Sequence, residues 1–256
     1  MGTSTPDKTL AVADDWFVAA FGELYPVVYA HRTVEAAIPE AHFAAEAVRL
    51  LPEDNALDLC CGAGRHLVTL EQYGAHLAGV DYSTQLLAIA RKRLSPETAL
   101  IHADMRALPL TPCFDVVFSF FTSFGYFEDT DNVAAAASMA QVLKPSGRFF
   151  MDYLNPLNLE EHLEPETLRE SKGYVIHERR WIDREKHRVN KTVAIEHEGN
   201  AMGVTSESVR LYALEELTAL LSEVGLQVQE VWGNCAGAAY GPNADRMILA
   251  GSKVGA

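Results

Sequence analysis

Along the 256-residue chain the spacing of apolar positions changes twice, near residue 55 and near residue 155. Before the first change, Trp16, Phe17, Ala20, Phe21 and Leu24 recur at helical spacing until Pro26 interrupts them, and the aromatic run LYPVVYAHRT follows. Pro39 stands where a helix often begins, and Ala44, Ala47, Val48 and Leu51 give the next amphipathic face. From residue 55 short apolar runs read as strands: NALDLC, AHLAGVDY, ALIHADM, FDVVFSFF and RFFMDYL. Between them lie helical stretches. These are GAGRHLVTLEQYG, STQLLAIARKRL with Ser83 as its N-cap, and TDNVAAAASMAQVLKPSG ended by Pro145 and Gly147. The almost unbroken apolarity of FDVVFSFF is that of a strand covered on both faces. Strands alternating with such helices predict a parallel sheet with right-handed crossovers.

After residue 155 the period becomes two. Residues 174–183, 188–198 and 204–212 alternate polar and apolar, as antiparallel strands with one wet face do. LEELTALLSEVG then returns to helix, and LQVQEVWG and RMILAGSK to strands. The predicted fold is α/β: a doubly wound, mostly parallel sheet of seven strands, with an N-terminal helical lid and a small antiparallel insertion. Residues 1–52 would be the lid, 53–154 and 213–256 the sheet domain, and 155–212 the flap.

Composition narrows the function. Lys and Arg number 21 against 35 Asp and Glu, a net charge of −14, so no basic surplus exists to hold a polyanion, and nucleic acid is demoted as a partner. Four cysteines, two of them adjacent, make no disulfide framework. The chain opens without an apolar signal-like run, and its longest dense apolar run, Val116 to Phe121, is too short to cross a bilayer. A cytoplasmic protein with no membrane partner is expected. The exposed edges of the antiparallel flap invite self-pairing, so a homodimer is a reasonable expectation.

Chemistry gathers at three strand ends. Asp58 precedes Cys60, Cys61, Gly62 and Gly64, a small-residue turn that lets backbone approach a ligand at a helix N-terminus. Asp81 closes the second strand and Asp104 the third, each 23 residues after the previous acid. The three carboxylates should therefore line up along the carboxyl edge of neighbouring strands, the usual ligand crevice of open α/β sheets. Asp81 suits a bidentate grip on ribose hydroxyls; Asp104 suits an exocyclic amine, with Met105 stacking nearby.

At these residues the chain resembles the class I S-adenosylmethionine-dependent methyltransferases, across roughly residues 55–153 and more weakly through the final strands. The resemblance implies S-adenosylmethionine as cofactor. It places Asp58, Cys60, Gly62 and Gly64 around the methionine part, Asp81 at the ribose with Tyr82 beside the adenine, and Asp104 and Met105 at the adenine. Cys60 stands where the family more often has glycine. A nicotinamide enzyme would want a third glycine at position 67, which is Leu67.

The run Phe118 to Phe127 lacks the motif of nucleic-acid amino-methyltransferases; it is aromatic and nearly uncharged, as a pocket for a small molecule would be, and Phe120 is placed beside the cofactor. It resembles the small-molecule subgroup that includes sugar amine N-methyltransferases and glycine N-methyltransferase-like enzymes. In those relatives an N-terminal segment closes over the cofactor, and Tyr25, Tyr29, His31 and Arg32 are its matches here; core packing is the other reading of the two tyrosines. Tyr25, His31 and Tyr126 are the catalytic candidates, with Asp152 a further base. Arg246 is read as solvated, and His177, His187 and His197 as surface residues with no metal spacing. The expected reaction moves a methyl group to an N, O or C atom of a small molecule. A cofactor-binding protein without transfer, and an RNA methyltransferase, are the alternatives.

Overall fold

The structure is a computed structural model and describes residues 12–255; the polar lead at residues 1–11, the start of the expected lid, lies outside the described residues. The lid begins with two short helices, α1 (Trp16–Ala20) and α2 (Tyr25–Val28), the second carrying Pro26 in its first turn, where a missing N–H costs nothing. Helix α3 (Val34–Ala47) corrects the reading of Pro39. The helix starts five residues earlier, at Val34, capped by Thr33, whose hydroxyl accepts from the Ala36 N–H, and Pro39 lies inside it. A local cap and the burial of Ala37, Ala41, Ala44 and Ala45 outweigh the one hydrogen bond that proline forgoes.

The sheet domain follows the predicted alternation: β1 (Asn55–Leu59), α4 (Arg65–Leu70), β2 (His76–Asp81), α5 (Thr84–Arg93), β3 (Ala99–His102), β4 (Phe114–Ser119), α6 (Asp129–Val142) and β5 (Leu143–Leu154). Lys144 to Gly147, expected to close α6, instead belong to β5, and the helix stops at Val142. Two features were not foreseen: α7 (Pro156–His162) and a first flap strand, β6 (Glu166–Ser171). Neither has the apolar periodicity that marks the other elements. The flap is therefore four-stranded, continuing through β7 (Tyr174–Asp183), β8 (Arg188–His197) and β9 (Asn200–Arg210) in simple antiparallel order. Helix α8 (Leu214–Glu223), β10 (Leu226–Trp232) and β11 (Arg246–Lys253) complete the chain.

The large sheet runs β10-β11-β5-β4-β1-β2-β3, with β10–β11 and β11–β5 antiparallel and the remaining pairs parallel. One apolar cluster built on Leu57, Val117 and Phe149 covers one face, and another built on Ala56, Val116 and Phe150 covers the opposite face. A third cluster, Val28, Tyr29, Ile176, Val193 and Ile195, joins lid to flap. Arg188 of β8 fastens the flap to the loop after β4. It is 7% exposed, and it donates to Ser208 and to the carbonyls of Gly125, Tyr126 and Phe127. The strand order reverses between β4 and β1, so the crevice of the fold opens at the carboxyl ends of β4, β1 and β2. Among the described residues no helix is long and apolar enough to cross a membrane.

Candidate active site

Parallel register decides how the three acids sit. Asp58 pairs with Gly79 and Asp81 with His102, and Asp104 follows β3 by two residues. They occupy one sheet edge but in steps, each two residues further out, and not in line as the equal spacing suggested. The step has consequences. Asp58 is 1% exposed and lies behind the cleft wall, with both carboxylate oxygens lacking a partner. Burial, reinforced by Asp81, pushes its pKa well above the usual carboxylate range. Asp81 stands on the cleft wall, one oxygen accepting from Gly62 N–H and the other from Ser83 N–H, each at 2.7 Å. Burial raises its pKa, and those amides offset part of the rise. Asp104 is the outermost. Burial would raise it, but Arg106, 2.6 Å away, prevails and lowers it, and Arg106 also reaches Asp131.

The small-residue turn bends through left-handed backbone at Cys60, Gly62 and Gly64. Cys60 holds φ +64 without being glycine, and its Sγ lies 3.5 Å from Met105 Sδ. Gly64 serves packing: a Cβ there would meet Leu94 and Ala90 of the neighbouring helical segment at 3.0 and 3.2 Å. It does not line the cleft.

The cleft, about 990 Å³ with its open mouth, is bordered on this side by Cys60, Gly62, Asp81, Tyr82, Asp104 and Met105. On the other side stand Tyr25, Arg32, Phe120, Phe121 and Tyr126. Two of the expected residues are elsewhere. His31 is exposed, with its pKa lowered by partial burial and by Arg32. Tyr29 is buried between lid and flap, hydrogen-bonded to Glu207 and Lys191, and its ring carries the Arg32 guanidinium at 3.8 Å. It positions a cleft residue without lining the cleft itself. Asp152 is committed as well, accepting from Phe121 N–H at 2.9 Å and from Arg246 Nε at 2.7 Å. Arg246, expected to be solvated, is thus half-buried in an ion pair and also donates to Thr122 Oγ1. Of the three flap histidines, His177 and His187 are exposed, whereas His197 stacks on Tyr174.

Three features escaped sequence reasoning. Phe121 and Thr122 adopt φ +55 and +60, conformations that cost a non-glycine residue about 1 kcal/mol each, and the Asp152–Arg246 pair holds them. Arg32, Arg65 and Arg246 surround the Phe121 ring at 3.9, 5.1 and 5.0 Å. His66, 4% exposed, stacks on Phe120 at 3.9 Å and donates from Nε2 to Glu40 at 2.8 Å. Burial pushes its pKa down to about 4, so it is neutral at physiological pH. Its partner lies 26 residues earlier, and no local pattern announces the pair.

Residues 56–147 match a family described as a methyltransferase domain. This segment is similar to a methyltransferase domain. Over 128 residues the chain is 38% identical to dTDP-3-amino-3,4,6-trideoxy-alpha-D-glucopyranose N,N-dimethyltransferase of Streptomyces venezuelae, covering 49% of this chain and 53% of that one. The chain spans about half the length of the curated sugar dimethyltransferases it matches. Among solved structures, DesVI of Streptomyces venezuelae is 26% identical with a TM-score of 0.62, covering 91% of this chain and 97% of that one. SAM-bound CalS10, an amino pentose methyltransferase from Micromonospora echinaspora, is 22% identical with a TM-score of 0.66, covering 91% and 98%. The matched segment thus sits on the fold the sequence predicted, and the likeness to class I S-adenosylmethionine-dependent methyltransferases of small molecules is borne out.

Proposed function

We propose that the chain is an S-adenosylmethionine-dependent methyltransferase that methylates an amine nitrogen of a small molecule. The observation that carries this reading is the continuity of one cleft. The glycine turn, Asp81 and Asp104 border one end, and the aromatic chamber of Tyr25, Phe121 and Tyr126 borders the other. The residues fit the cofactor. Arg32 borders the cleft with its Nε buried and without an acceptor, a group that suits the carboxylate of a methionine moiety, and the unpartnered carboxyl of Asp58 stands behind the glycine turn that would carry the ammonium. Asp81 would take the ribose hydroxyls, and Tyr82 and Met105 the adenine, with Asp104 at its amine. Bound S-adenosylmethionine would supply a methyl group on a sulfonium, taken by the acceptor's lone pair as the sulfur keeps the C–S electron pair.

The protein's part is placement and exclusion of water. Burial raises the Tyr126 pKa well above the usual phenol value, so this phenol stays protonated and can accept a hydrogen bond from an amine N–H while its ring lies beside the developing cation. His66 and Asp152 are both committed to structural partners, and an amine that arrives uncharged needs no base. That is why nitrogen is favoured over oxygen or carbon. The amino sugar names of the Streptomyces venezuelae and Micromonospora echinaspora methyltransferases agree with this choice.

Calorimetric titration with S-adenosylhomocysteine, with NAD alongside, tests the cofactor. Asp81→Ala should weaken binding at least tenfold, roughly 1.4 kcal/mol, because a carboxylate and the brace on Gly62 are lost together. A preference for NAD would overturn the reading. We also propose self-association through the flap: Leu168 on β6, and Met202 and Val204 on β9, stand exposed on its two edge strands. A monomer in sedimentation at micromolar concentration would refute that.

A further inference from the structure

Residues 21–32 run beside the cleft as a strap tied at both ends. On the glycine-turn side, Ser83 Oγ donates to the Phe21 carbonyl at 2.7 Å, while the Ser83 N–H braces Asp81. At the far end Arg169 of β6 donates to the Val28 carbonyl, and Tyr29 is buried against the flap. Tyr25 and Arg32, both on this strap, line the cleft.

Strand register prepares the flap end. Lys191 of β8 pairs with Glu207 of β9, so the two side chains stand together, on the sheet face that also carries Ile176, Val193 and Ile195. Their ammonium and carboxylate lie 2.9 Å apart, and both reach one phenol: the Tyr29 hydroxyl donates to Glu207 and accepts from Lys191. Burial and Glu207 hold the Tyr29 pKa well above the usual phenol value, so the hydroxyl keeps the proton it donates.

What this anchor holds is Arg32. Its guanidinium carbon lies 3.8 Å from the Tyr29 ring centre and 3.9 Å from that of Phe121, so two aromatic rings set where the planar fork rests. Of the three arginines around Phe121, Arg65 pairs with Glu40 and Arg246 with Asp152. Arg32 pairs with no carboxylate among the described residues, and its Nε is buried without an acceptor. Neither Lys191 nor Glu207 lines the cleft, and nor does Tyr29.

We propose that Lys191 and Glu207 are positioning residues for the cofactor's carboxylate, acting through Tyr29 on Arg32, so that the flap sets how firmly the lid holds that carboxylate. The ligand rests on the S-adenosylmethionine reading above. An ammonium and a carboxylate sharing one phenol fix the ring without competing for the anion, because the pair satisfies itself. By reciprocity, a carboxylate on Arg32 tightens the strap against the flap.

Calorimetry on the full chain compares S-adenosylhomocysteine with its decarboxylated analogue, which keeps the adenosine and the ammonium. The unaltered protein should prefer S-adenosylhomocysteine by about tenfold or more. Tyr29→Phe keeps the ring and loses the hydroxyl; it should weaken S-adenosylhomocysteine about fivefold and the analogue less than about twofold. Glu207→Ala should act alike, and Glu207→Gln, which can still accept from the phenol, should recover most of the loss. In an Arg32→Met background Tyr29→Phe should have no further effect on S-adenosylhomocysteine, because the group it positions is gone. Equal losses for the two ligands, or a Tyr29→Phe effect that persists without Arg32, would reduce the anchor to packing and overturn the proposal. The two Glu207 variants decide alone if Tyr29→Phe does not fold. Unaltered protein that binds neither ligand overturns the cofactor reading and this inference with it, whereas binding of both without preference overturns the positioning role alone.

Discussion

The glycine-turn half of the cleft and the aromatic half are built by different means. In the first, Cys60 to Gly64, Asp81 and Asp104 come from successive strand ends, and the parallel pairing of β1, β2 and β3 sets them side by side through backbone alone. In the second, Tyr25, Phe121 and Tyr126 come from the lid and the loop after β4, and Arg246 of the last strand braces that loop through Asp152 and Thr122. There side chains do the joining: Arg188 clasps three loop carbonyls, Asp152 holds the Phe121 amide, and Arg32 bridges the Tyr29 and Phe121 rings. A backbone-built half survives the loss of one side chain. A half joined by side chains passes each loss on.

The sharpest break is therefore Arg188→Met. It strips the donor from the carbonyls of residues 125–127 and should cost about 3 kcal/mol in urea denaturation. S-adenosylhomocysteine affinity should change little, since the turn and Asp81 are untouched. A cost under about 1 kcal/mol would mean the loop holds itself, and the contrast would fail.

His66 lies where the two halves meet, and its lowered pKa sets a direction. The unfolded histidine binds a proton at about 6.5, the folded one only near 4, so stability is lost as pH falls through that interval. The loss attributable to this group should approach ~3 kcal/mol. His66→Gln should flatten the acid limb of a stability profile measured from pH 7 downward; an unchanged slope would show that other groups govern it.

Asp58 separates stability from binding. Its carboxyl is buried and unpartnered, so ionisation opposes folding, and the penalty grows as pH rises toward its elevated folded pKa. Asp58→Asn should raise the thermal midpoint by about 2–4 °C while weakening S-adenosylhomocysteine severalfold. Parallel changes in both would overturn the assignment. The smallest effect belongs to Cys60→Gly. Relief of left-handed backbone and loss of the Met105 contact should nearly cancel, leaving stability within about 1 kcal/mol. A larger drop would show that the thiol, and not the turn, is what the site requires.

Legibility followed the same division. The alternation of β1 to β5 with its helices, and the strand at 174–183, stood in the sequence because each has its own apolar period. β6, with only Leu168 as a large apolar residue, and the short α7 carry no such period and went unread. Asp81, Asp104, Met105 and Tyr82 reached the cleft as expected, since a strand end fixes where its residue goes. Tyr29 and His31 did not, because a lid turn has no lattice to fix its side chains, and flap contacts turned Tyr29 inward.

What the chain determined by itself is therefore the doubly wound sheet and its row of strand-end acids, both consequences of local periodicity and of the parallel register it enforces. Tertiary structure alone decided that these acids stand in steps, that Asp58 hides behind the wall, and that Glu40 meets His66 and Asp152 meets Arg246. It also bent Phe121 and Thr122 through positive φ. Such features depend on groups brought together from far along the chain, whose mutual contacts outweigh the preference of each residue taken singly.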